Sequence, residues 1–209
     1  MTQPARPIQP RIVLFDIGNV IVDWQPIRLY RSLFDDEADA RFFCENICTL
    51  DWHMAHDRGQ TMALNAAPLI AKYPEHTERI LAWKTRWLDM FEGYVAGVPL
   101  LLARLEENRV PLFGLSNIPA EVADQTFDAF PMIKLLQDIV VSGAEKMVKP
   151  DPEIFHLTLR RMGAPDPAEV LFIDDSAVNI AAADALGFQT HHFYDAGRLE
   201  KTLIDASLL

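Results

Sequence analysis

Asp16, Ser116, Lys149 and the pair Asp174-Asp175 stand at or just beyond the ends of short apolar runs scattered over most of the chain. A carboxylate, a hydroxyl, an ammonium and a carboxylate pair, presented at strand ends, suit phosphoryl transfer through an aspartyl intermediate with Mg²⁺. The first carboxylate attacks phosphorus, while the hydroxyl and the ammonium steady the transferring oxygens. One group that this chemistry normally uses is lacking. In Asp16-Ile17-Gly18-Asn19-Val20 the second position after Asp16 is glycine, not an acid.

Each residue alone has a plainer role. An Asp closing a strand commonly caps the next helix or forms a turn. Ser116-Asn117 before Ile118-Pro119 is ordinary turn chemistry, and Lys149-Pro150 reads as a solvated loop. Asp174-Asp175 is harder to explain that way, because adjacent carboxylates repel unless a cation or several N–H donors sit beside them. Four such coincidences in register outweigh the separate readings.

The elements that must position these groups are legible as apolar runs. Ile12–Phe15, Leu112–Leu115, Ile139–Val141, Val170–Ile173 and Thr190–Phe193 read as parallel strands, the first four nearly uniform as in strands covered on both faces. Helical patterns lie between most of them, including those that open at Pro99 and Pro152 and the stretch Asn179 to Leu186 before Gly187. The alternation implies an α/β doubly wound sheet. From about Pro26 to Gly97 the apolar spacing is mostly three and four with no clear strand signal, so that stretch reads as several amphipathic helices. Inserted after the first strand, it would sit above the strand ends, where open α/β sheets bind ligands.

With 209 residues, half of them apolar, the chain can bury a substantial core as one domain with an insertion. A net charge of −11 argues against a nucleic-acid surface. An acidic exterior also means that a phosphate site must rely on local cations and backbone N–H groups. Cys44 and Cys48 read as reduced thiols. Met1 to Gln9 has no apolar core of a secretory signal, and no run is long enough to span a membrane, so the expected location is the cytoplasm.

The four segments together resemble the haloacid dehalogenase superfamily, in motif order and over essentially the whole chain. Phe15-Asp16-Ile17-Gly18-Asn19-Val20, Leu115-Ser116-Asn117, Lys149-Pro150-Asp151-Pro152-Glu153-Ile154-Phe155 and Phe172-Ile173-Asp174-Asp175-Ser176-Ala177-Val178-Asn179-Ile180 look like its first to fourth motifs. The Asp-x-Gly-Asn-Val form with the double Asp is most similar to members that act on α-D-glucose 1-phosphate. The resemblance implies a Rossmann-like parallel core over residues 10–24 and 98–209, with a helical cap of the C1 type over 25–97. It implies Asp16 as nucleophile, with Mg²⁺ held by Asp16, the Gly18 carbonyl and Asp175, and by Asp174 through a water. Ser116, Asn117, Lys149 and Asn19 would then bind phosphate or substrate. The expected partner is a small phosphorylated metabolite, and the expected state a monomer or homodimer.

In most phosphatases of the superfamily an aspartate fills the position held here by Gly18. General acid catalysis is worth about 10² to 10⁴ in rate. Without it, a weakly basic leaving oxygen is favoured, as in a sugar 1-phosphate. Replacement candidates are Asp23 and the cap segment Trp52-His53-Met54-Ala55-His56-Asp57-Arg58-Gly59. There His56 is a proton donor candidate, Arg58 could reach a phosphate or hydroxyl, and Trp52 could stack on a sugar; a solvated helix end capped by Gly59 is the plainer reading. Trp83 and Trp87 read as core, and His191-His192 on opposite strand faces cannot chelate one ion. Two other functions stay open. A 2-haloacid dehalogenase uses no metal and typically carries Ser and Asn where this chain has Asp174-Asp175. A catalytically weak binding or regulatory protein would have no need for the whole set.

Overall fold

The computed structural model describes residues 9–209, so the reading of Met1 to Gln9 falls almost wholly outside the described residues. The chain enters through β1 (Ile12–Phe15) and a short β2 (Val22–Trp24). Five helices follow: α1 (Pro26–Arg31), α2 (Glu37–Asn46), α3 (Leu50–Asp57), α4 (Met62–Lys72) and α5 (Thr77–Thr85). After β3 (Phe91–Tyr94) come α6 (Val98–Glu107), β4 (Leu112–Ser116), α7 (Ala120–Ala129), β5 (Ile139–Val141) and α8 (Ser142–Glu145). The chain finishes with α9 (Pro152–Arg161), β6 (Val170–Asp174), α10 (Ala177–Ala185), β7 (Gln189–His192) and α11 (Ala196–Asp205).

The five apolar runs form one parallel sheet in the order β5-β4-β1-β6-β7. The nearly uniform hydrophobicity of the first four runs has the anticipated cause. Along β1, Val13 and Phe15 join one buried cluster with Leu101 and Leu105 of α6 and Leu199 of α11. Leu14 points the other way, into a cluster with Phe155 of α9, Phe172 and Ala183 of α10. Alternate side chains face opposite sides of a strand, so burial on both sides leaves no position for a polar residue. The strand order changes direction at β1, which makes the edge between β4, β1 and β6 the crevice of the sheet.

One element differs from the expectation of helices alone between 26 and 97. Phe91–Tyr94 is a strand, paired antiparallel with Val22–Trp24 so that Tyr94 faces Val22 and Phe91 faces Trp24. Cross-strand aromatic and β-branched pairs of this kind stabilise a ribbon too short to show a clear period in sequence. The helical stretch has its own buried cluster, containing Leu29, Tyr30, Phe43, Trp83, Trp87 and Met90. Ile118, Val122 and Ala123 beside and in α7 belong to the same cluster, so the helices pack onto the segment that follows β4. Thr49 caps α3 and Thr61 caps α4 through their side-chain oxygens. Among the described residues, no helix is long and apolar enough to cross a membrane.

Candidate active site

Parallel pairing of β1 with β4 and β6 brings three C-terminal ends to one edge of the sheet. Asp16 follows β1, its N–H donating to the Ile173 carbonyl at 2.8 Å, while Ser116 ends β4 and Asp174 ends β6. Lys149 comes from the loop ahead of α9, and Asn117 fixes that loop. The Asn117 amide donates to the Lys149 carbonyl and its Oδ1 accepts from the Lys149 N–H, both at 2.9 Å. Residues up to 133 positions apart in sequence, Asp16, Ser116 and Lys149, therefore meet because three strand ends and one clamped loop converge.

Lys149 Nζ lies 2.9 Å from Asp16 Oδ1 and 2.7 Å from Asp174 Oδ2, and is almost wholly buried. Asp16 Oδ1 also accepts from the Ile17 N–H at 2.6 Å; neither contact involves its Oδ2. Asp174 is fully buried and heavily committed. Its Oδ1 accepts from the Ser176 N–H at 2.8 Å, and Asn179 donates to both its oxygens at 3.0 and 3.1 Å. Asp175 is the most open of the three and takes a hydrogen bond from Asn19. Carboxylate oxygens of Asp16, Asp174 and Asp175 all lie within 4.8 Å of one another.

Three carboxylates around a single ammonium leave an excess of two negative charges, and the electrostatics reflect it. Burial pushes the Asp16 carboxyl up to about 8; Lys149 opposes this, and Asp174 and Asp175 add to it. Lys149 is held above its ordinary value because the two flanking carboxylates outweigh the burial that disfavours its charge. Asp175 is likewise raised, by burial first and then by Asp174. A divalent cation matches both the excess charge and the donor set, which is all oxygen.

The groups surround a cavity of about 350 Å³, lined on its charged side by Asp16, Gly18, Asn19, Ser116, Asn117, Lys149 and Asp175. Asn19 adopts a left-handed backbone with φ 56°, and its side-chain oxygen accepts from the Trp24 N–H at 3.1 Å. A Cβ built on Gly18 would meet nothing within 4 Å, so glycine there is not demanded by packing.

The cap candidates fare differently. Asp23 pairs with Arg28 at 2.6 Å and lies in a neighbouring groove, not on this cavity. Arg58 is turned to Asp151 at 3.1 Å, away from any role on a phosphate in this structure. His56 is buried off the cavity, its Nε2 accepting from Asn65 at 2.9 Å, and burial pulls it down to about 4, which corrects the expectation of a donor near neutral pH. Trp52 is not a stacking platform either: its indole N–H donates to the Asn65 carbonyl and its ring packs edge-on against His56 and Trp83. The indole rings that do face the cavity are those of Trp24 and Trp87, 5.7 Å apart, with Trp87 held by its N–H on the Thr126 hydroxyl at 2.8 Å. Trp87 is thus both core and cavity wall, which its spacing from Trp83 could not reveal. Asn179 was not named as a site residue, and His53 and Asp57 entered only as members of the segment from Trp52 to Gly59; the position of Asn179 five after Asp174, on the first turn of α10, was the signal available for it.

A family model for haloacid dehalogenase-like hydrolases matches residues 10–187. The chain belongs to that family. Among its relatives is a sesquiterpene phosphatase of Aspergillus oryzae, 25% identical over 193 residues that cover 89% of this chain and 91% of the relative. A phosphorylated carbohydrates phosphatase of Thermotoga maritima is 23% identical over 85% of this chain and 82% of its own length. In three dimensions this hydrolase is similar to a family enzyme from Bacteroides thetaiotaomicron solved as a magnesium complex. That similarity has a TM-score of 0.70 and 21% identity, over 95% of this chain and 99% of the other. At that identity the likeness speaks to the α/β fold, which the two share.

Proposed function

We propose that this hydrolase is a Mg²⁺-dependent phosphomonoesterase that works through an aspartyl phosphate on Asp16. The observation that carries the reading is the approach of Asp16, Asp174 and Asp175 within 4.8 Å, beside a buried lysine and a cavity. Asp16, Asp175 and the Gly18 carbonyl are the groups that would hold the ion. When bound, it would keep Asp16 ionised and offset the charge of the phosphate. Asp174 is assigned to orienting Lys149, since its oxygens are already occupied by Lys149, Ser176 and Asn179. Residues 25–97 act as the cap over the strand ends.

The reaction then runs in two displacements. Asp16 attacks phosphorus, forming an O–P bond as the ester O–P bond breaks, while Lys149 and the Ser116 hydroxyl hold the transferring oxygens. Water then attacks phosphorus and frees Asp16. Nothing at position 18 protonates the leaving oxygen, so an ester with a weakly basic leaving group, such as a sugar 1-phosphate, is the first substrate class. The carbohydrate-phosphatase relative supports it. A second class is favoured by the apolar wall of the cavity, to which Val22, Trp24, Leu50, Met54, Trp87 and Phe91 contribute. That wall suits the phosphate of an apolar alcohol, and the sesquiterpene-phosphatase relative supports this alternative.

A panel of aryl, sugar and prenyl phosphates assayed for phosphate release, with Mg²⁺ and with a chelator, tests the reading. Metal-dependent hydrolysis, faster as the leaving-group pKa falls, is the expected result. Silence toward even an activated aryl phosphate with Mg²⁺ would leave only a binding or regulatory role. Release of halide from a 2-haloacid with the chelator present would instead favour a dehalogenase, which has no use for Asp175 beside Asp16.

A further inference from the structure

Asp57 has no part in the chemistry above, yet it lines the same cavity as Asp16 and Lys149. It ends α3 and is only 7% exposed, and its buried Oδ1 makes no hydrogen bond. A buried, unpartnered carboxyl oxygen beside a cavity is a group whose partner arrives from that cavity. His53 Nε2 lies 3.4 Å from it, an ion-pair distance that falls short of hydrogen-bond geometry.

The side chains behind it have a direction. Asn65 donates to His56 Nε2 at 2.9 Å, which puts the His56 proton on Nδ1, 3.3 Å from His53 Nδ1. The Trp83 indole also donates to His53 Nδ1, at 3.1 Å. His53 Nδ1 is therefore an acceptor, and its own proton sits on Nε2, the ring nitrogen nearer Asp57. Burial pulls His53 down to about 3, with His56 adding to it, so the ring is neutral and keeps this tautomer near neutral pH. The end of α3 is also held from the core side. Arg58 pairs with Asp151, and a Cβ on Gly59 would stand 2.7 Å from Lys146 Cγ and 2.9 Å from the Gly143 carbonyl.

We infer that Asp57 is the general base for hydrolysis of the phosphorylated Asp16, with His53 as the residue that positions it. The inference rests on the phosphatase reading. In this step a water oxygen bonds to phosphorus as the P–O bond to Asp16 breaks. The water proton passes to Asp57, which returns it to solvent as phosphate leaves. The ester's own leaving oxygen needs no proton from Asp57, so the preference for weakly basic leaving groups is unaffected. Burial pushes Asp57 up to about 7, with Lys149 pulling it back, which suits a group that exchanges a proton near neutral pH. The charged and titratable groups sharing its surroundings are His53 on its own helix, Lys149 ahead of α9, Asp16 after β1 and Asp175 after β6.

Rapid-mixing kinetics with 4-nitrophenyl phosphate and Mg²⁺ test this on the whole chain. Asp57→Asn is expected to release about one equivalent of nitrophenol at the wild-type rate, then turn over roughly 10² to 10³-fold more slowly. Acid quenching should trap phosphorylated protein, and Asp57→Glu should restore turnover. In the wild type, the lifetime of the phosphorylated form should shorten as pH rises through about 7; His53→Gln should move that midpoint while sparing the initial release. Wild-type turnover in Asp57→Asn, or slow release with no burst and no trapped phosphoprotein, overturns the role of Asp57. A wild-type lifetime that ignores pH does the same, even if the Asn variant fails to fold. Failure of the wild type to release any nitrophenol with Mg²⁺ sinks the phosphatase reading itself, a separate outcome.

Discussion

Lys149 reaches Asp16 at 2.9 Å from a loop whose position is set by Asn117, not by any neighbour in sequence. Among the described residues, its ammonium is the only cation that pairs with Asp16 or Asp174. Buried charge of this kind is tolerable only while its partners stay together.

Lys149→Met should therefore abolish phosphate release and also weaken the fold. Removing one partner of a buried ion pair costs about 3–5 kcal/mol, since the remaining charges are left without compensation. Added Mg²⁺ should recover part of the loss by mass action, and should raise the wild-type Tm as well. Thermal melts of both proteins with Mg²⁺ and with chelator provide the check. Identical melts in the two conditions would count against a cation at this cluster.

Gly18→Asp restores the acid that the first motif lacks. The open space around a Cβ at this position means that the substitution need not disturb packing. Turnover of alkyl phosphates, whose leaving oxygens are strongly basic, should rise by about 10-fold or more, while aryl phosphates change little. The measurement is kcat against leaving-group pKa, which should become flatter in the variant. An unchanged slope would show that protonation of the leaving oxygen is not limited by residue 18.

Asp57 makes stability depend on pH in a calculable direction. Its carboxyl titrates at about 7 in the folded chain against 3.8 for the free group, so the folded state binds the extra proton between these values. Its contribution is fully present below the lower value and is lost as pH rises through the upper one. At about 1.4 kcal/mol per unit, the loss by pH 8 is on the order of 4 kcal/mol. Asp57→Asn should thus be more stable than wild type at pH 8 and nearly equal to it near pH 4. Denaturant midpoints at both values test this, and a constant difference would contradict it.

Trp24 and Trp87 line the same cavity as the charged groups. Trp24→Ala should raise KM for aryl and prenyl phosphates by about 10-fold, in line with the 1–3 kcal/mol of a lost apolar contact, with less effect on kcat. Trp87→Ala should also lower stability by about 3 kcal/mol, because that ring is buried among Leu29, Tyr30, Phe43 and Trp83 and anchored on Thr126. Steady-state kinetics on two esters of unequal apolarity separate these effects. Equal KM changes for a sugar phosphate and a prenyl phosphate would argue against an apolar leaving group.

Much of this molecule was determined locally. Strand burial writes itself into the chain, since a strand covered on both faces admits no polar residue along runs such as Val13-Leu14-Phe15. The groups that close those runs, Asp16, Ser116 and Asp174, were therefore visible as chemistry at strand ends. The convergence of Lys149 on Asp16 and Asp174 could be anticipated from motif order but had no local cause to read. Only tertiary structure decided the part played by the helices between β2 and β3. Whether His56, Asp57 or Arg58 faces the cavity depends on how α3 is rotated and docked against Lys146 and Asp151, contacts made with residues some ninety positions away. The choice of Trp24 and Trp87 over Trp52 as cavity walls has the same origin. A helix period says which residues share a face, whereas the partner that face meets is chosen by packing across the whole fold.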